Sequence, residues 1–206
     1  MIDILVIGDT HIPKRAVSLH PLLIKELNNL STEKLFDFVV FTGDVVKSPE
    51  TIRYFKNLAE EKFLIVQGNM DYYYGNIEAP LYDSFSIRLK NDSYLNIGIT
   101  HGAEIHPRGD KDELLKIAKE NDVNLLIFAH THFAEIFLSS DGILLLNPGS
   151  FTGAWSFVAS RTPSFVIIKV YIEENEIKVI LYELKNDRII TTIESFYFKH
   201  QQFLKS

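Results

Sequence analysis

Ile2-Asp3-Ile4-Leu5-Val6-Ile7-Gly8-Asp9-Thr10-His11 is an apolar, β-branched run that stops abruptly on Gly-Asp-x-His. The run predicts a buried strand. The same form recurs four times: Phe36 to Phe41 leads into Gly43-Asp44, Phe63 to Val66 into Gly68-Asn69-Met70-Asp71, Leu95 to Ile99 into His101-Gly102, and Leu125 to Ala129 into His130-Thr131-His132. Each polar cluster therefore falls at the carboxyl end of a strand, where open α/β sheets gather ligands from distant parts of the chain. Glycine in the first four clusters lets the backbone turn sharply there. Taken singly, an Asp after a strand is often a cap and a His-x-His pair a satisfied lining. The ordered recurrence of seven such side chains is what points to a common site.

Between the strands the period changes. Leu19, Leu22, Leu23, Leu27 and Leu30 recur at helical spacing. A second helix is expected from Ser48-Pro49, with Ser as cap, Pro at the first position and Ile52, Phe55 and Ala59 on one face. A third is expected from Asp110, whose spacing to Glu113 is that of a capping box, through Leu114, Leu115 and Ala118. Phe85 to Ile99 reads as a hairpin around Asn91-Asp92. From Ile143 onward only strands are expected: Leu144 to Leu146, Ser164 to Ile172, Ile177 to Leu184 and Ile189 to Phe198. Alternating β and α followed by an all-β half implies a mixed α/β fold of two sheets packed face to face, with helices outside. No repeat or linker divides the chain, so one domain over residues 1–206 is expected, with 196–206 as a C-terminal tail.

Composition narrows the chemistry. Among 206 residues, 21 Lys and Arg against 27 Asp and Glu give a net charge of -6 without a basic cluster, which argues against a nucleic-acid partner. The absence of cysteine excludes thiol catalysis, thiolate metal sites and disulfides. No apolar run approaches 20 residues and no signal-peptide pattern precedes Ile2, so a cytoplasmic protein without a membrane partner is expected.

Two Asp, one Asn and four His offer oxygen and imidazole nitrogen only, a set suited to Mn, Fe, Zn or Ni. A pair of metals about 3.5 to 4 Å apart needs an anionic bridge, for which Asp44 is the natural carboxylate. Asn69 would add a neutral oxygen and leave the centre positive enough to hold an anionic phosphoester. A water shared by both ions would ionise near neutral pH and attack phosphorus in line with the leaving oxygen.

Asp9-x-His11, Gly43-Asp44, Gly68-Asn69, His101-Gly102 and His130-x-His132 together resemble the motifs of the calcineurin-like metallophosphoesterases, in particular their small bacterial and archaeal phosphodiesterases; Ala129 replaces the glycine before the last motif. The resemblance implies a four-layer αββα sandwich with two mixed sheets. It further implies one divalent metal on Asp9, His11, Asp44 and His132, and a second on Asp44, Asn69, His101 and His130, with Asp44, Asn69 and His101 as the catalytic set. Manganese is the first choice of metal, ahead of Ni, Zn, Fe or Mg, and a small phosphoester is the expected substrate. Within that group, Gly8 to Arg15, Asn147 to Ala154 and Pro163 to Val166 are similar to the retromer subunit of this fold, which serves mainly as a scaffold. That relative carries an amide for Asp44 and a carboxylate for Asn69. This chain keeps the catalytic type at both, so an enzyme is expected, with a non-catalytic scaffold or protein-binding module as the alternative.

Larger members follow Gly-Asn with a His that protonates the leaving group; here the position is Met70, which carries no transferable proton. Acidic leaving groups, such as aryl alcohols, are therefore expected to be preferred. Asp71 and His106 are secondary candidates for the missing acid, while His20, His106 and His200 read first as surface or structural. Tyr72-Tyr73-Tyr74 either stacks on a substrate ring or covers the core. Phe196, Phe198 and Phe203 either pack as an edge strand or offer an apolar edge to a second copy or protein partner.

Overall fold

The computed structural model describes residues 1–75, 78–199 and 201–205. The strand Ile2–Ile7 (β1) alternates strictly: Ile4 and Val6 face one core, Leu5 and Ile7 another. A strand buried on both faces must lie between two layers, and β1 lies centrally in a seven-stranded sheet. Its partners on one side are the parallel strands Phe36–Phe41 (β2) and Ala59–Ile65 (β3). On the other side antiparallel strands Ser164–Tyr171 (β9), Glu176–Lys185 (β10), Arg188–Lys199 (β11) and Gln202–Lys205 (β12) complete it.

The second sheet has five strands. Tyr82–Arg88 (β4) pairs antiparallel with Tyr94–Thr100 (β5), followed across the sheet by Leu125–Ile127 (β6), Leu144–Pro148 (β8) and Ala134–Leu138 (β7). β5, β6 and β8 run parallel to one another, so their carboxyl ends emerge on one side. The sheets face each other through Ile4, Val6, Ile97, Leu125, Leu146 and Val179. Helices Pro21–Leu30 (α1) and Pro49–Lys56 (α2) cover the outer face of the larger sheet through Leu23, Leu27 and Phe55. Helix Lys111–Glu120 (α4, after the short helix Asn69–Tyr74, α3) covers the smaller sheet through Leu114 and Ala118. The expected αββα sandwich is the observed fold.

Several local expectations change. α1 begins after Leu19, because His20 caps it by accepting Leu22 N–H at 3.2 Å. α2 ends at Lys56, and Ala59 opens β3 instead of closing the helix face. Ser48 makes no side-chain cap; its hydroxyl lies 2.6 Å from Thr51 Oγ1. Asp110 does accept Glu113 N–H at 3.0 Å, as its spacing suggested. β7 and α3 were not anticipated, β7 because its half-exposed Ala134–Leu138 carries no clean alternation. Phe196, Phe198 and Phe203 are buried: β12 folds back on β11 and drives all three rings into the inter-sheet core. The edge-strand reading holds, and these rings offer no surface to a partner. His200 lies outside the described residues.

Candidate metal centre

The loops after β1 and β2 are joined beyond the sheet. Asp9 N–H donates to Gly43 O at 3.0 Å, His11 N–H to Asp44 O at 2.9 Å, and Ile12 bridges Val46. In this tight winding Asp9, His11 and Asp44 have φ of 50°, 49° and 56°, and in the loop after β6 His130 and His132 have 69° and 59°. Left-handed backbone at non-glycine residues costs on the order of 1–3 kcal/mol each and persists only where surroundings over-determine it.

The surroundings do so here. The buried Asp71 carboxylate accepts N–H groups from Asp44 at 2.7 Å, Val46 at 2.8 Å and Gly68 at 3.0 Å, fixing the loop after β2 to the loop after β3. A Cβ on Gly68 would fall 2.0 Å from Asp44 Oδ1, so only glycine lets the strand pass the carboxylate. Asn147 Nδ2 holds Ala129 O at 3.1 Å and Thr131 Oγ1 at 3.0 Å, while Ser150 Oγ donates to Asp9 O at 2.6 Å. The segment Asn147 to Ser150 thus ends β8 and clamps the His130 loop to the Asp9 loop.

Seven side chains converge as a result. His132 Nε2 lies 3.0 Å from His11 Nε2 and 3.3 Å from Asp9 Oδ1, and His11 Nε2 lies 3.4 Å from Asp44 Oδ2. The contacting atoms of Asp9, His11, Asp44 and His132 all fall within 4.8 Å of one another. On the other side of Asp44, His101 Nε2 is 3.5 Å from Asp44 Oδ2, 3.2 Å from Asn69 Oδ1 and 3.3 Å from His130 Nδ1. Asp44 stands between the two groups.

Tautomers follow from the outer partners. His101 Nδ1 and His132 Nδ1 each face a backbone carbonyl at 2.8 Å, Thr42 O and Ala154 O. A carbonyl only accepts, so both rings carry a proton on Nδ1 and direct Nε2 inward. These Nε2 atoms lie 3.0 to 3.5 Å from His11 Nε2, Asn69 Oδ1 and the carboxylate oxygens of Asp9 and Asp44, contacts that need a proton or a cation between the partners. Asp9 Oδ1 and His11 Nδ1 are buried with no hydrogen bond among the described residues. Convergent imidazole nitrogens and carboxylate oxygens fit divalent cations, which would displace any proton between them, and the outer carbonyls supply the orienting contacts such ligands need.

The same crowding shifts the acids and bases. Burial opposes charge on Asp9, but the nearby His132 and His11 outweigh it and hold the carboxyl well below the usual range. Asp44 behaves likewise, burial being overcome by His101. His101 is raised to about 9, burial being outweighed by Asp44, and His130 falls to about 3 through burial and the charges of His101 and Arg108.

All seven residues expected from sequence meet here. The secondary acid candidates do not. Asp71 spends its oxygens on backbone N–H groups behind Asp44, and exposed His106 makes none of the contacts above. Sequence reading gave no role to two cations beside the centre. Arg108 Nη1 donates to His130 O at 3.2 Å and Arg15 Nη1 to Trp155 O at 2.9 Å, while both charges act on the site histidines and on each other. Neither is paired with a carboxylate among the described residues. An Arg four residues past the end of an Asp-x-His cluster carries no spacing signal, because the loop that returns it is irregular.

The profile of the calcineurin-like phosphoesterase superfamily domain matches residues 2–172, and the chain belongs to that family. It is 37% identical over 179 residues to a probable metallophosphoesterase of Methanocaldococcus jannaschii, covering 86% of this chain and 80% of that protein. The crystal structure of a single mutant of Vps29 from Entamoeba histolytica superposes with a TM-score of 0.81 at 28% identity, covering 95% of this chain and 99% of that one. Wild-type Vps29 of the same organism, crystallised with zinc, gives 0.77 at 28% identity over 93% and 98% of the two chains. Among the described residues no helix is long and apolar enough to cross a membrane.

Proposed function

We infer that this metallophosphoesterase is a phosphodiesterase with two divalent ions, one on Asp9, His11, Asp44 and His132 and one on Asp44, Asn69, His101 and His130. The observation that carries this reading is the inward convergence of His101 Nε2 and His132 Nε2 on either side of a single carboxylate, Asp44. Ions bound there would supply a Lewis acid for the phosphoryl oxygens and a nucleophile drawn from water near neutral pH.

The chain's own residues do the rest. Asp44 contributes the shared negative charge, and the neutral Asn69 leaves the centre attractive to an anion. Arg15 and Arg108, anchored by carbonyls and not by carboxylates, keep N–H donors for a non-bridging phosphoryl oxygen. Met70 gives no proton to the leaving alcohol, which favours esters of acidic alcohols. Manganese remains the first choice of metal, with Ni, Zn, Fe and Mg as competitors.

The test is hydrolysis of bis(4-nitrophenyl) phosphate and 4-nitrophenyl phosphate by metal-stripped protein resupplied with each ion, beside Asp44→Asn. Metal-dependent turnover favouring the diester and lost in the variant supports the reading; folded protein inactive with every metal contradicts it. The structural likeness to Vps29 favours a second reading, a protein-binding scaffold. The inactive outcome would select it.

A further inference from the structure

A cavity of about 420 Å³ opens beside the centre, between α3, Leu81 and the loop after β5. It shares Asn69 and His101 with the second group of ligands, so a molecule filling it while its phosphorus occupies the centre must be a phosphoester arm. Its volume falls within the range of small-molecule sites, roughly 300–1,000 Å³. Two large apolar side chains stand open to solvent on its walls, Tyr72 at 75% and Leu81 at 71% exposure.

The placement follows from the helix. Tyr72 lies three residues beyond Asn69 in α3, so the two side chains share a face. Tyr73 does not line the cavity, and Tyr74 instead lies beneath the ammonium groups of Lys14 and Lys47, at 5.1 and 5.5 Å from its centroid. Across the cavity, the Thr100 hydroxyl lies 3.4 Å from Leu81 O and 3.3 Å from Glu104 Oε1, tying the apolar wall to a polar one. Gln67 adds an amide to the lining. An aromatic ring and a leucine suit a flat ring between them, and a carboxylate accepts N–H donors from its edge. The same carboxylate repels a second phosphate.

Resting on the two-metal phosphodiesterase reading, we propose that this cavity binds the nucleobase of a nucleotide-type phosphodiester, with Tyr72 stacking on the ring and Glu104 accepting from its amino or imino edge. The basic side of the centre, Arg15 and Arg108, then faces the phosphate. Substrate is thereby held in one direction, base toward His101 and Asn69.

The experiment is equilibrium binding of AMP, CMP, GMP, ribose 5-phosphate and inorganic phosphate to Mn-loaded full-length protein and to Tyr72→Ala and Glu104→Gln. Stacking on an aromatic side chain predicts that at least one nucleotide binds about tenfold tighter than ribose 5-phosphate, and that Tyr72→Ala removes this advantage while phosphate affinity stays unchanged. Glu104→Gln is expected to reorder the three nucleotides. Equal affinity for nucleotides and ribose 5-phosphate, with phosphate bound normally, overturns the base site alone. Failure of the metal-loaded protein to bind phosphate at all overturns the metal-centre reading and the base site with it.

Discussion

The two groups of side chains that share Asp44 differ in how they meet solvent. Asp9, His11 and His132 are wholly buried, strained in backbone and clamped by the Ser150 loop. In the other group His101 and His130 are buried, but Asn69 is exposed and borders an open cavity. The first group has the build of a site that keeps its ion. The second has that of a site meeting substrate, with a neutral ligand where the first has a carboxylate. Under the two-ion reading, division of labour between the two groups would arise from burial and from one amide.

The largest effect expected is from Asp44→Asn, which removes the charge common to both groups: turnover should fall by on the order of a thousandfold while the circular dichroism spectrum is kept. Retention of half the activity would separate the two groups. Next, Asp71→Asn should weaken binding of both ions by about 10- to 100-fold in a metal titration, as loss of an outer partner does. Asn69→Ala sharpens the contrast, since it should weaken only one of two binding steps. Arg108→Met should raise KM for a phosphodiester about tenfold with little change in kcat, read from initial rates. The smallest effect is on stability: chelation should lower the melting temperature, an ion at 100 times its Kd contributing about 2.7 kcal/mol, and Asn69→Ala should retain most of the metal-dependent increment.

The convergence of the candidate site was legible in the sequence because its side chains follow strands directly: a strand end fixes where the next residue points, so Asp9, Asp44, His101 and His130 could be placed together from the strand pattern alone. Layering was legible for the same reason, β1 and β2 being apolar on both faces. Asp71 stood in the sequence only as a secondary acid candidate, and its role depends on three N–H groups brought in from two separate loops. Arg15, Arg108 and the Tyr72 cavity are set by irregular loops, which carry no period. The sequence left Phe196, Phe198 and Phe203 open between an edge strand and a docking edge, because β12 is four residues long and forms only by folding back on β11.

The most direct measurement is the number of ions bound per chain at saturation, by calorimetric titration of manganese into metal-free protein with elemental analysis of the product. Two ions per chain, falling below two in Asn69→Ala with the tighter step intact, is the expected result. A single ion in the unaltered protein, or none, would contradict a centre built around a shared Asp44.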